Sequence, residues 1–231
     1  GVGVFEFDYG ADDEPAVHLL RRPSGLSAAR NVIGLDGTPT PYLWEVATGV
    51  EFEQRTVLDD RSGEYLEDAL DLRIVQTTDY TKPYNSLSNV NASRDAALLQ
   101  GIADHHGERP AVISSSIAFG KWDSEDVLDL DKTGDRWTVS NGPVDGVMKY
   151  GNVLGSNRFD EERVGAVVGM NHFGDGFIGR WAAYDGHAAT LGDDARESDA
   201  DGWGTTLDYG AIGNQIHQHM KNETLQAVMR F

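Results

Sequence analysis

The pattern of apolar and polar positions along the chain predicts short strands separated by helices. Runs rich in β-branched and aromatic residues, bounded by Gly, Pro, Asn or Asp, are typical of strands. Such runs lie at 1–9, 16–20, 31–33, 51–58, 70–76, 110–115 and 164–169, with two further pieces on either side of a turn at Gly134.

Helices are predicted where apolar residues recur at helical spacing between start and stop signals. The first is predicted over 42–48, because Pro41 suits the opening position of a helix and Gly49 its end. A longer helix is predicted over 93–106. Its start and stop signals are Asn91 or Ser93 and Gly107. Two more helices follow, one around 177–182 and one near residue 231. This alternation predicts an α/β fold with a mostly parallel sheet flanked by helices.

One strand and the turn before it combine burial with polar chemistry. The run from Val164 to Val168 is continuously apolar, which predicts a strand buried on both faces of a parallel sheet. The preceding turn contains Gly155, Ser156 and Asn157, whose backbone N–H groups, hydroxyl and amide suit an anionic oxygen such as a phosphate. Polar turns beside such strands often hold ligands in α/β proteins. A turn that only reverses the chain is the alternative for each residue taken alone.

Charge is the most unusual feature of the composition. The chain of 231 residues carries 38 Asp and Glu against 19 Lys and Arg, a net charge of -19, and no Cys. An acid-rich, Lys-poor and Cys-free composition resembles that of proteins from salt-loving archaea. At molar salt the Debye length is about 3 Å, so an acidic chain need not avoid nucleic acid there. An acidic protein with an acidic partner-binding face is the alternative.

Several classes of site and location are excluded or disfavoured by the sequence. Without Cys the chain has no disulfide, zinc–thiolate site or catalytic thiol. No apolar run approaches the roughly 20 residues of a membrane span, and no signal peptide is evident, so we expect a cytoplasmic protein without membrane contact. The single Gly-Lys pair, Gly120 and Lys121, precedes Trp122 instead of Ser or Thr and therefore is not a phosphate loop. A nucleophile elbow and a metal-spaced His pair are missing too, which disfavours an acidic hydrolase unrelated to nucleotide-dependent enzymes.

Acidic clusters give no metal site either. The Asp12-Asp13-Glu14 cluster is followed by Pro15 and does not end a strand, so we interpret it as a solvated loop. The acidic run at 193–201 lacks the spacing of a calcium loop and is interpreted as a solvated insert.

Three blocks along the chain resemble motifs of superfamily-two helicases of the DEAD/DEAH kind. The block at 34–39, GLDGTP, resembles motif III, Gly-Leu-Thr-Ala-Thr-Pro; Thr38 and Pro39 match it, whereas Asp36 and Gly37 depart from it. The turn at 155–157 with the strand after it resembles motif V. The third block, ETLQAVMRF, contains Gln226 and Arg230 at the spacing of motif VI but not the Gly-Arg that completes it. The strand at 110–115, which includes Ser114, resembles the less specific motif IV.

The resemblance implies a fold, a division into domains and a role for each matching residue. Residues 1–50 would be the tail of a first RecA-like domain, and 51–231 a second RecA-like domain with a mostly parallel sheet flanked by helices. The chain would form part of an ATP-dependent nucleic-acid helicase or translocase that is inactive alone. ATP and Mg would bind only together with the missing N-terminal ATPase domain. The implied roles are catalytic for Gln226 and Arg230, nucleotide-binding for Gly155 and Asn157, and nucleic-acid-binding for Thr38, Ser114 and Ser156. A non-catalytic acidic α/β protein-interaction module is the alternative.

Overall fold

The computed structural model describes most of the chain. The described residues are 2–7, 16–21, 26–56, 62–78, 82–134, 136–186, 196–197, 206–207 and 211–231. The acidic cluster at 12–14 and most of the acidic run at 193–201 lie outside these ranges, as do the ends of the strands predicted at 1–9 and 51–58.

Strands and helices alternate through the centre of the chain. The strands are β1 (Val2–Phe7), β2 (Ala16–Arg21), β3 (Ala111–Ser114), β4 (Asp129–Thr133), β5 (Arg136–Asn141), β6 (Gly146–Lys149), β7 (Gly165–Val167), β8 (Arg196–Glu197) and β9 (Thr206–Leu207). The helices are α1 (Pro41–Thr48), α2 (Ser62–Glu64), α3 (Ala92–His106), α4 (Ser116–Ser124), α5 (Asp175–Tyr184) and α6 (Ala211–Val228). A π turn, Tyr65–Ala69, continues α2.

A small parallel sheet forms the centre of the fold. Its strand order is β6-β3-β7, and Val112 pairs with Val147 on one side and Ala166 on the other. All four residues of β3 are buried because β3 lies between two strands. β7 lies at the side of the three-stranded order, yet both of its faces are covered: Ala166 packs in one buried group with Val112, and Val167 packs against another with Ile113. The expectation that the strand after residue 163 is buried on both faces is confirmed for these positions, although Val167 is only partly buried and Gly165 is exposed. The α/β class with parallel strands and flanking helices is confirmed.

The remaining strands form antiparallel hairpins. β1 pairs with β2, β4 with β5, and β8 with β9. The turn of the β4–β5 hairpin contains Gly134 at φ 60°, a left-handed conformation that suits glycine. The hairpin predicted around this residue is therefore confirmed.

Local start and stop signals located two helices closely. The side chain of Asn91 accepts a hydrogen bond from the backbone N–H of Arg94 and caps α3, which ends at Gly107 with φ 72°. Helix α1 begins at Pro41 and ends at Gly49 with φ 71°. These signals act through the nearest turn of backbone, so they do not depend on the rest of the fold.

Three predicted strands are absent from the described residues. Residues 31–33, 51–56 and 70–76 have no regular strand structure. Ile33 is 83% exposed and Leu35 91% exposed, so this segment is not buried. A strand needs hydrogen bonds to a neighbouring strand, and these segments have no such partner among the described residues.

Three groups of buried side chains hold the described elements together: one between the sheet and α3 and α4, a second among α1, α5 and α6, and a third on the opposite face of the sheet. Around the sheet, Asp95 is buried and accepts hydrogen bonds from the Tyr84 hydroxyl at 2.7 Å and the Trp122 indole at 3.1 Å. Burial raises the pKa of the Tyr84 hydroxyl, and the hydrogen bond to the Asp95 carboxylate raises it further. In the second group, residues of α1, α5 and α6 pack on Met170. Helix α1 lies before the domain boundary predicted at residue 50, yet it packs with helices that follow it.

Candidate nucleic-acid interface

The polar turn that resembles motif V follows β6 and is closed by its own hydrogen bonds. Gly155 has φ 70°, which a residue with a side chain adopts only with strain. The Ser156 N–H donates to the Val153 carbonyl at 3.2 Å, and the Ser156 hydroxyl accepts from the Arg158 N–H at 3.3 Å. Asn157 is exposed. The turn thus presents a half-buried hydroxyl and an exposed amide at the surface.

An open cleft of about 450 Å³ lies between this turn, β6 and the β4–β5 hairpin. We call it the basic cleft. Its polar lining residues are Thr133, Arg136, Lys149, Asn152, Ser156 and Arg158, and none of its nine lining residues is acidic. Three of the 19 basic residues of an otherwise acidic chain therefore share one cleft.

Arg158 is held in place within the basic cleft. Its Nη1 donates to the Val147 carbonyl at 3.0 Å, and its guanidinium lies 5.4 Å from the centre of the Phe159 ring. Partial burial lowers the pKa of Arg158, and the positive charge of Arg136 lowers it further, while Glu162 opposes both effects. Two guanidinium groups therefore repel each other across the cleft, a repulsion that a bound anion would relieve.

A second candidate site forms where the block resembling motif III meets α6. The Gln226 amide donates to the Thr38 hydroxyl at 2.5 Å and lies 3.4 Å from an Asp36 carboxylate oxygen. The other Asp36 oxygen accepts from the Trp44 indole at 3.3 Å. We call these contacts, together with those of Asn222 described next, the Thr38 junction. It joins residues that are 188 positions apart in the sequence.

Asn222 and His219 extend the Thr38 junction along one face of α6. The Asn222 amide lies within hydrogen-bond distance of the carbonyls of Thr38 and Pro39, at 3.2 and 3.3 Å. His219 Nδ1 lies 3.4 Å from the hydroxyl of Thr40, which is buried. Burial lowers the pKa of His219, against smaller opposing effects from two nearby carboxylates. Positions 219, 222 and 226 share one helix face, so α6 presents a continuous polar stripe to the turn.

The end of α6 also touches the block resembling motif V. The ring of Phe231 stacks on Phe159 with centroids 5.8 Å apart and lies against Gly165, where a Cβ atom would come within 2.2 Å of the ring. Arg230, the residue before, is partly buried, and its Nε has no hydrogen-bond partner among the described residues. Helix α6 and the three residues after it therefore contact both other blocks, through Gln226 on one side and Phe231 on the other.

Ser114 occupies a different position from the one that its predicted role requires. Its side chain is fully buried, and its hydroxyl donates to the Val168 carbonyl at 2.7 Å. The next hydroxyl, that of Ser115, donates to the Tyr84 carbonyl and caps α4 by accepting from the Ala118 N–H. In this conformation both hydroxyls stabilise the carboxyl end of β3 and neither forms part of the basic cleft.

Comparisons with known proteins give no relative: no family model, curated protein or solved structure matches the chain. Within the described ranges, no group of three or more His, Asp or Glu side chains could hold a metal ion. The helices of the described part are all too short or too polar to cross a membrane.

The cations of the basic cleft and the amide of Asn222 were missed by sequence reasoning. Arg136, Lys149 and Arg158 belong to β5, β6 and the turn after β6, and only the tertiary packing of these elements brings them together. Asn222 could have been found, because it lies on the helix face of Gln226.

Proposed function

We propose that this chain is part of an ATP-dependent nucleic-acid helicase or translocase, in which it supplies contacts to the nucleic-acid backbone. The observation that carries the proposal is the meeting of the three helicase-like blocks on α6. Gln226 reaches Thr38 at 2.5 Å, and the Phe231 ring stacks on Phe159, two residues after Asn157. These contacts span 188 and 72 positions of the sequence, and the blocks would not need to meet if each were an unrelated turn.

Direct contact between the blocks suits a coupling role. A helicase must link a nucleotide-dependent movement to a change in its grip on a strand, and such coupling is carried by packed and hydrogen-bonded side chains with two arrangements. In the proposed mechanism, a shift of the Thr38 turn moves α6 through Gln226 and Asn222. Phe231 then transmits the shift to Phe159 and the turn that contains Ser156. Ser156 positions a backbone phosphate, while Asn157 and Gly155 face the nucleotide cleft.

The described residues do not form a complete nucleotide site. They contain neither a phosphate loop nor a carboxylate cluster for Mg. Arg230 could only complete a site built mainly by another domain, and its buried Nε without a partner is compatible with a side chain that changes position. We therefore propose an N-terminal ATPase domain as the partner that binds ATP and Mg, and we derive no chemical step from this chain.

The proposal predicts nucleic-acid binding without ATP turnover. The purified chain, refolded in molar KCl, is titrated into fluorescein-labelled single-stranded DNA and RNA of about 16 nucleotides. We expect a rise in anisotropy that weakens as KCl increases, and no ATP hydrolysis above that of an Arg230→Ala variant. Failure to bind either strand at any salt concentration that keeps the chain folded would refute the proposal. ATP turnover that depends on Arg230 would refute its claim of inactivity.

A protein-interaction module is the second candidate, and one observation favours it. Ile33 and Leu35 are 83% and 91% exposed beside the Thr38 turn, and large apolar side chains exposed together often mark contact surfaces. Loss of nucleic-acid binding would leave this function as the better explanation. Replacement of both residues by Ser would then abolish binding to the protein partner without changing the fold.

A further inference from the structure

The basic cleft differs from the chain as a whole in the sign of its charge, and one of its basic side chains is held in position by a hydrogen bond. The chain has a net charge of -19, yet the described residues that line the cleft include Arg136, Lys149 and Arg158 and none that is acidic. Basic side chains that share one cleft raise the local concentration of anions there. The Arg158 side chain is held in one position, because its Nη1 donates a hydrogen bond to the Val147 carbonyl. The other guanidinium N–H groups and the neighbouring side chains define where an anion would bind.

The polar groups between the cations suit phosphate oxygens. The hydroxyls of Thr133 and Ser156 and the amide of Asn152 can each donate a hydrogen bond to a phosphate. Arginine binds phosphate with two parallel N–H···O bonds, and lysine binds it as a point charge. A cleft of about 450 Å³ that opens to solvent accommodates a chain of phosphates better than a single enclosed ion.

The cleft does not provide a platform for bases. The only aromatic side chain among its lining residues is Trp137, which is 9% exposed and packs against Phe119 and under Lys132. Base stacking requires an exposed ring face, so Trp137 cannot serve. The recognition chemistry of the cleft is therefore that of the sugar–phosphate backbone.

We propose that the basic cleft between the β4–β5 hairpin and β6 is the binding track for the phosphodiester backbone of a single nucleic-acid strand, with Arg136, Lys149 and Arg158 as its phosphate ligands. This inference rests on the proposed function and identifies where that function makes contact. It assigns the hairpin, which the helicase-like blocks do not include, a direct part in binding.

The test compares a double variant in the cleft with a matched variant outside it. Arg136→Gln with Lys149→Gln removes two cations from side chains that are exposed or half-buried, so the fold is retained. Arg55→Gln is the control, because Arg55 is exposed and pairs with Glu53 away from the cleft. Anisotropy titrations use oligothymidylate and an abasic deoxyribose-phosphate strand of equal length, from about 0.3 M to about 2 M KCl, and circular dichroism checks folding.

Removal of two phosphate contacts is expected to weaken binding about fivefold at the lowest salt and to reduce the slope of log K against log[KCl] by about 1.4. Arg55→Gln should reproduce the wild type, and the abasic strand should bind within about twofold of oligothymidylate. Unchanged affinity and slope in the double variant would overturn the assignment of the basic cleft as the binding track. Binding by the wild type would in that case still support the proposed function. Absence of binding by the wild type would overturn both. Strong preference for the strand with bases would overturn the cleft alone, since the contact would then be to bases.

Discussion

The basic cleft and the Thr38 junction use different physical means within one chain. The cleft concentrates positive charge in open solvent, with Arg136 and Arg158 repelling each other. The junction joins Gln226 and Asn222 to the Thr38 turn mainly through neutral hydrogen bonds and is partly buried. Salt screens the first kind of interaction strongly and the second very little. The difference indicates that salt and substitutions can separate ligand binding from the contact that links the blocks.

Removal of salt is expected to have the largest effect on stability, because it acts on every charge at once. With 38 carboxylates against 19 basic groups, self-repulsion disfavours the compact state when the charges are unscreened. Thermal midpoints followed by circular dichroism should rise steeply from dilute buffer to molar KCl and then flatten as screening saturates.

A neutral osmolyte is the control for this salt series, since sucrose stabilises folded proteins without screening charge. A midpoint that stays flat or falls between dilute buffer and molar KCl would contradict the halophilic interpretation. It would also remove the reason for expecting so acidic a chain to bind nucleic acid.

The packing of the Phe231 ring against Gly165 of β7 is tested by the change Gly165→Ala. The added methyl group would lie 2.2 Å from the Phe231 ring, so the ring must move, and overpacking of this kind costs about 1–3 kcal/mol. Urea denaturation in molar KCl should show a lower midpoint. The matched control is Gly120→Ala, which meets nothing within 4 Å inside α4 and should be neutral or stabilising by about 0.5–1 kcal/mol. Equal stability of the two variants would show that Phe231 does not pack on β7.

The hydrogen bond of the Thr38 junction is tested by a double-mutant cycle. Thr38→Ala and Gln226→Ala should each cost about 0.5–1.5 kcal/mol, and the double variant should cost less than their sum by a similar amount. Gln100→Ala is the control partner, because the Gln100 amide instead bonds to Asp104 on the surface of α3. The destabilisation by Thr38→Ala and by Gln100→Ala should simply add. If the effects of Thr38→Ala and Gln226→Ala add just as fully, the contact between the blocks is contradicted.

The smallest expected effect is the pH dependence that His219 contributes. Its pKa is lowered in the folded state, chiefly by burial, so the unfolded chain takes up a proton at higher pH than the folded chain does. The stability that His219 contributes is therefore present above its ordinary pKa of 6.5 and is lost as the pH falls below it. The free energy of unfolding should fall less between about pH 7.5 and pH 5.5 in His219→Gln than in the wild type. An unchanged pH slope in His219→Gln would contradict this assignment.

Helices α1 and α3 could be predicted closely from the sequence because their signals are local, whereas α4 was not predicted. Asn91 and Gly107 delimit α3 through hydrogen bonds within a turn of the chain. The strands could not be located as reliably. Residues 51–56 have the composition of a strand but no neighbouring strand, whereas β3 is stabilised by partners that follow it by 35 to 54 positions. Composition identifies a candidate strand, and only the topology of the sheet determines whether that strand forms.

The candidate sites divide in the same way. The turn around Ser156 was singled out because its polar residues are contiguous in the sequence. Gln226 was singled out because Arg230 follows it by four residues. The cations of the cleft were not predicted, since three separate elements contribute them. Burial is also invisible in the sequence, which is why Ser114 was expected at a ligand and is instead fully enclosed beside Val168.

The exposed connection between α1 and α3 has a consequence for the length of this protein. Nearly all side chains described at 51–56 and 63–78 are exposed, and α1 is held by its packing on α5 and α6 rather than by this connection. The closure entropy of a flexible loop grows only with the logarithm of its length, so each doubling costs about 0.6 kcal/mol. Insertions or deletions within 51–56 or 63–78 should therefore be tolerated, and the group around α1, α5 and α6 can be joined to the sheet by connections of quite different size.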